Sequence, residues 1–274
     1  MRNRPLIFVT NDDGVRSPGL HALVAAFLPF ADVRIVAPSS QMTAAGRGLS
    51  GNRSAKLESI ELSIENQVIT AYHAPCSPAQ VVILGVQIFG SEGFPDLLVS
   101  GINYGENMGR DITMSGTVGA AIQGACMGIP SLAVSAQTPI DMHFKHGEIN
   151  WKTPSWFAAK FAKIMLEKKM PFDVDILKLD IPQTAQHSTP WRITRLADQS
   201  YFSARIPSPT LESALSDSEV KIASDPATLD PQSDIYTFLV DKMVSVCPLS
   251  LDLTSRTDLK KLSAYLRNGN DECK

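Results

Sequence analysis

The chain has 274 residues, 44% of them hydrophobic and 19% charged, with a formal net charge of -3. That balance excludes an intrinsically disordered chain and, with a pI near 6.0, the clustered basic surface that duplex nucleic acid requires. No apolar run approaches the roughly 18 residues that would argue for a membrane span. Cys76, Cys126, Cys247 and Cys273 are scattered, so neither a zinc knuckle nor a disulfide scaffold is expected. The expectation is a cytoplasmic protein with reduced thiols, no membrane partner and no duplex nucleic acid partner.

Apolar runs at 6–9 and 33–37 are short and continuous, as in buried strands. Between them Ser17 suits an N-cap, Pro18 the first helical turn, and Leu20, Leu23, Val24 and Phe27 recur on one helical face. Strand, helix, strand in that order predicts a doubly wound, mostly parallel sheet, whose ligands sit at the carboxyl ends of strands. Alternation at Leu57, Ile60, Leu62, Ile64, Val68 and Ile69 predicts antiparallel strands or a hairpin attached to that core. The rhythm resumes with a helix from Ser77 and Pro78 through Val86, a strand at 96–100, a small-residue helix at 116–127 and a strand at 132–134. A helix at 155–168 and a strand at 176–181 complete a core over 1–182. Beyond it, strand-like runs at 191–196 and 236–246, a Ser/Pro/Asp-rich stretch and a helix at 257–266 predict an appended β-rich arm over 183–274.

Three segments carry candidate chemistry. In Thr10-Asn11-Asp12-Asp13-Gly14 two adjacent carboxylates follow the first strand, where like charges repel unless a divalent cation neutralises them; an Asp-Gly turn with one capping Asp is the plain alternative. In the stretch from Ser100 to Asp111, Gly101, Gly105 and Gly109 would let backbone approach a ligand in a loop, with Asn103 and Asn107 supplying neutral oxygens and amide donors; a long surface turn is the alternative. Ser115-Gly116-Thr117 opens a helix whose unpaired N–H groups would receive an anion, or whose hydroxyls simply cap it.

Thr10-Asn-Asp-Asp-Gly14, Ala37-Pro38, the Ser100–Asp111 pattern and Ser115-Gly-Thr-Val-Gly-Ala-Ala121 resemble the SurE family of survival-protein nucleotidases. The likeness is specific over roughly the first 137 residues and continues more weakly through Ile176–Pro182, Arg192–Leu196 and Val244–Val246. It implies a Rossmann-like core, a C-terminal hairpin used in a homodimer or homotetramer, and metal-dependent hydrolysis of nucleoside monophosphates. By motif position the metal ligands are Asp12, Asp13, Asn103 and Thr43, with Ser40 as the alternative hydroxyl, and one Mg²⁺ or Mn²⁺ per subunit. The family usually has Ser-Gly where this chain has Thr43-Ala44, and an aromatic residue where it has Met114.

Oxygen donors suit Mg²⁺ or Mn²⁺ better than zinc. Asp12 and Asp13 are then the expected catalytic residues, and Asn11, Gly105, Asn107, Ser115, Gly116 and Thr117 the expected substrate contacts, for nucleoside 5'-monophosphates and, further, 3'-nucleotides and short polyphosphate. His143 and His146 share an H-x-x-H spacing that could bind metal, although an exposed polar loop explains them better. The first strand leads to Asn-Asp-Asp-Gly and not to G-x-G-x-x-G, no G-x-x-x-x-G-K-[ST] occurs, and strand 96–100 ends without the acceptor aspartate of a receiver module. A protein that binds nucleotide without turnover is the remaining alternative.

Overall fold

The structure, a computed structural model, describes residues 3–52, 54–143 and 145–268; Cys273 lies outside them. Strand β1 (Leu6–Thr10) is buried at every position. It runs parallel to β2 (Asp32–Pro38) on one side and β5 (Leu97–Tyr104) on the other. With β3 (Glu58–Ile64), β4 (Gln67–Ala74), β6 (Ser131–Ala136), β7 (Ile176–Ile181), β8 (Trp191–Ile193) and β11 (Val244–Leu249) it forms one sheet. The order is β3-β4-β2-β1-β5-β6-β7-β11-β8.

The alternation expected between 57 and 69 is the antiparallel β3–β4 hairpin, whose β4 then runs parallel to β2. The expected fold class is what forms: a doubly wound α/β sheet with additional strands from the C-terminal stretch. β11 lies antiparallel to β7 and carries β8. The two strands β9 (Phe202–Arg205) and β10 (Glu219–Ile222) make a separate antiparallel pair.

Alternate residues of β1 face opposite layers. Ile7 and Val9 pack with Leu20, Leu23, Val24 and Phe27 of α1 (Pro18–Phe27) and Phe157 and Phe161 of α4 (Lys152–Glu167). Phe8 packs instead with Val81, Val82 and Val86 of α2 (Pro78–Phe89) and Ala120 of α3 (Gly116–Cys126). Each such side chain contributes about 1.5–3 kcal/mol by leaving water. Burying both faces is what makes the parallel strands read as continuous apolar runs.

Two expectations are corrected. The segment from Ser100, read as loop, continues β5 to Tyr104, because its residues are covered on both sides and pair with β6 beyond a register shift at Ser100/Asn103. The run 236–246, read as one strand, is the short helix α5 (Asp234–Leu239) followed by β11. Its apolar residues Ile235 and Phe238 lie three apart on a buried helical face, and the Ser233 hydroxyl accepts from the Tyr236 N–H as a cap. The last helix, α6, spans Leu259–Asn268. Among the described residues no helix is long and apolar enough to cross a membrane.

Candidate active site at the carboxyl edge of the sheet

The chain leaves β1 and β5 at the same edge. β2 lies on one side of β1 and β5 on the other, so the crevice between them is the topological switch point, where open α/β sheets take ligands. Asp12 and Asp13 follow β1 directly, and Asn103 stands near the end of β5. Asn11 holds the turn in shape: its amide donates to the Gly14 carbonyl and accepts from the Gly14 N–H, both at 3.1 Å.

Both carboxylates are buried. The Thr117 hydroxyl donates to Asp12 Oδ1 and also lies 3.1 Å from Asn103 Oδ1. One hydroxyl proton cannot serve both oxygens, so this corner is richer in acceptors than in donors. The Asn103 amide nitrogen donates to the Gly105 carbonyl at 2.9 Å, which turns its oxygen toward Thr117. Asp13 accepts from Gln41 Nε2 at 2.9 Å and from the Tyr104 N–H at 3.2 Å.

Burial pushes the Asp12 carboxyl above the usual carboxylate range, against the hydrogen bonds it receives from Thr117 and Gly116. Asp13 is pushed well above it, first by burial and then by the charge of Asp12. Among the described residues no Lys, Arg or His forms an ion pair with either carboxylate, and no three His, Cys, Asp or Glu side chains gather. Two dry carboxylates beside an amide oxygen and a hydroxyl are hard donors without a positive partner, and they fit a divalent cation of the Mg²⁺ or Mn²⁺ type.

The third segment lies against the first. A Cβ on Gly116 would stand 2.6 Å from Asp12 Oδ2, so the start of α3 can approach that carboxylate because residue 116 is glycine. Ser115 is the N-cap: its hydroxyl accepts from the Val118 N–H at 3.1 Å and keeps its own proton free to donate. The positive end of α3 thus faces the acidic pair.

The remaining expected contacts divide. Asn107 donates its backbone N–H to Asp180 at 2.9 Å and one amide hydrogen to Ser135 at 2.8 Å, leaving the other amide hydrogen over. Gly105 has its N–H on the Ala136 carbonyl and its own carbonyl on Asn103, so it shapes the turn and offers no free donor. Thr43 and Ser40 are both exposed. The side chain of that loop which reaches the acidic pair is Gln41, a residue without a carboxylate, thiol or imidazole to draw notice in the sequence.

Behind the turn at 105–107 lies a second polar layer that motif reading passes over. Glu106 is buried, accepts from the Tyr201 hydroxyl at 3.0 Å and has its carboxyl pushed up to about 7, chiefly by burial. His143 packs against Gly105, whereas His146 stacks on Tyr104 with ring centroids 5.2 Å apart; the two imidazoles face different partners and do not form one metal site. Lys178, fully buried in β7, pairs with Asp180 and, at 3.2 Å, with Asp234. These carboxylates accept the N–H groups of Asn107 and Gly109, while Asp111 accepts those of Tyr201 and Phe202 at 2.8 and 2.9 Å.

The chain is similar to known proteins along most of its length. A family model described as survival protein SurE matches residues 7–203. A protein of Thermococcus gammatolerans named 5'-nucleotidase SurE is 35% identical over 268 residues, 95% of each chain. Another of Thermus thermophilus, named 5'-nucleotidase SurE 1, is 35% identical over 265 residues, covering 95% of this chain and 97% of its own. The crystal structure of the SurE protein from Aquifex aeolicus superposes with a TM-score of 0.75 at 28% identity, covering 97% of this chain and all of that one.

Proposed function

The chain belongs to the SurE family, and from that premise we propose that it is a metal-dependent phosphomonoesterase releasing phosphate from nucleoside 5'-monophosphates. The observation that carries the reading is the meeting of Asp12, Asp13 and Asn103 with the start of α3 at one crevice. Asp12, Asp13 and the Asn103 oxygen would hold one Mg²⁺ or Mn²⁺, with Thr43 as a fourth ligand if its exposed turn folds inward. When bound, that ion supplies charge neutralisation of the phosphoryl oxygens and activation of a water for in-line attack on phosphorus.

The side chains bind and orient. The Ser115 hydroxyl proton and the remaining Asn107 hydrogen are the donors assigned to the phosphoryl group, while the first N–H groups of α3 turn to Asp12 and to the Ser115 hydroxyl. Thr117 holds Asp12 in orientation, and Gln41 with the Tyr104 N–H does the same for Asp13. Asp12 stands closest to the α3 donors and is the group assigned to take the proton of the attacking water.

Because these donors address the phosphoryl group and not a base, nucleoside 3'-monophosphates and short polyphosphate fall within the same reading. The cytoplasm is the compartment proposed. A homodimer or homotetramer is proposed through the C-terminal stretch, where Leu211, Leu215 and Ile222 around β9–β10 and Leu259, Leu262, Tyr265 and Leu266 of α6 are exposed. Asp12→Asn is the direct test of the site: turnover falls by at least about 10³-fold with an unchanged far-ultraviolet circular dichroism spectrum. Near-normal turnover would remove Asp12 from the chemistry.

A further inference from the structure

We propose that His143 and Glu106 are positioning residues for this hydrolysis, holding one proton between them beneath the turn at 105–107 so that a phosphate dianion does not meet the bare Glu106 carboxylate under the turn. The inference rests on the reading above and adds to it a pair outside the Asp12–Asp13–Asn103 set.

The geometry is specific. His143 Nε2 is buried without a hydrogen-bond partner and lies 4.0 Å from Glu106 Oε2. The ring is bonded to the Thr138 backbone, and with Nε2 unpartnered that bond belongs to Nδ1, which donates to a carbonyl. Nε2 therefore presents its lone pair toward the carboxyl group whenever the imidazole is neutral. Gly105, at a φ of 102°, makes room for the ring: a Cβ there would stand 2.6 Å from Nε2. Glycine at 105 is thus required twice, by its backbone conformation and by the imidazole covering it.

The pair is wired to the site through backbone. Gln41 Nε2 donates to the His143 carbonyl at 2.8 Å while also reaching Asp13. Asn103 holds the Gly105 carbonyl, and Asn107 follows Glu106 directly. Other groups facing the pair are the Tyr201 hydroxyl, Gln137 and Asp180 around Glu106, and Asp141 and the Phe202 ring around His143. Lys178 pairs with both Asp180 and Asp234 and so offsets one of their two charges. Burial raises the Glu106 carboxyl to about 7 and lowers His143, so near neutrality the two groups share one proton and lose it to solvent as pH rises. The turn then lies over an uncompensated buried carboxylate, which opposes a dianion.

The test uses inorganic phosphate as the probe, in Mg²⁺, with its Kd measured by calorimetry at about pH 7.5 and about pH 9 and expressed in each case for the dianion, so that titration of the probe itself drops out. The wild type weakens by about tenfold across that interval. Glu106→Gln, which cannot ionise, keeps one Kd at both pH values. Tyr201→Phe removes a donor from the carboxylate and so moves the weakening to higher pH; it decides the matter if Glu106→Gln does not fold. A pair with a merely structural role would shift Kd equally at both pH values. Parallel weakening of the wild type and Glu106→Gln, or a wild-type Kd that does not move, overturns the proposal. Phosphate release from a nucleoside 5'-monophosphate on the same samples judges the parent reading separately. No turnover with a wild-type-specific pH response removes the hydrolase and keeps the pair; turnover with parallel responses removes the pair alone.

Discussion

Ala44 adopts a φ of 59°, a left-handed conformation that costs an alanine about 1–2 kcal/mol and a glycine very little. Set against glycine's greater freedom in the unfolded chain, Ala44→Gly raises stability by about 0.5–1 kcal/mol, seen as a higher urea midpoint at unchanged slope. Glu106 makes the converse point about charge. Its folded carboxyl titrates near 7 against an ordinary 4.5, so between those values the native state binds a proton that the unfolded state releases. Stability therefore falls as pH rises through that window, by about 3 kcal/mol more in the wild type than in Glu106→Gln, as urea titrations at the two ends of the window will show. At this scale the meeting of Asp12, Asn103 and Ser115-Gly116-Thr117 was legible, because each segment adjoins the carboxyl end of a strand or the start of a helix at the same edge of the sheet. Asn11 and Gly105 share those motifs yet spend their polar groups inside the turns. Gln41, Glu106 and His143 were not legible, because their roles arise from contacts with residues up to 102 positions away.

α3 starts against Asp12 because its cap and its glycine both permit the approach. Ser115→Ala removes the cap, costing about 1 kcal/mol, and also removes a donor to phosphate, so KM for a nucleoside monophosphate rises more than kcat falls. In β7, Lys178→Met leaves Asp180 and Asp234 buried without their cation. The expected loss is about 3–5 kcal/mol, with weaker substrate binding as the 107–109 backbone loosens; a melting curve beside a KM measurement checks both. Most elements were legible from apolar runs and Ser-Pro starts such as Ser17-Pro18 and Ser77-Pro78. The extension of β5 and the helical turn at 234–239 were not. In both places local composition favoured one state and burial against distant partners, Ala136 for Tyr104 and the Met108–Tyr201 cluster for Ile235, imposed the other.

Across the whole molecule, the sequence foretold the doubly wound sheet, and the return of β8 and β11 to its edge came from pairings such as Val244 with Trp191 and Ser245 with Asp180, far apart in the chain, that no local pattern encodes. The exposed apolar residues of α6 and of the β9–β10 region predict self-association; light scattering at micromolar concentration returns a dimer or tetramer mass, and a monomer mass would contradict it. The hydrolase reading depends on a divalent cation at the Asp12–Asp13–Asn103 crevice. The measurement to make is phosphate release from a panel of nucleoside 5'- and 3'-monophosphates after EDTA treatment, with Mg²⁺, Mn²⁺ or Zn²⁺ then restored. Silence in EDTA and turnover restored by Mg²⁺ or Mn²⁺ is the predicted result. Turnover undiminished in EDTA would contradict the cation's role, and silence on every substrate with every metal would mean a protein that binds nucleotide without cleaving it.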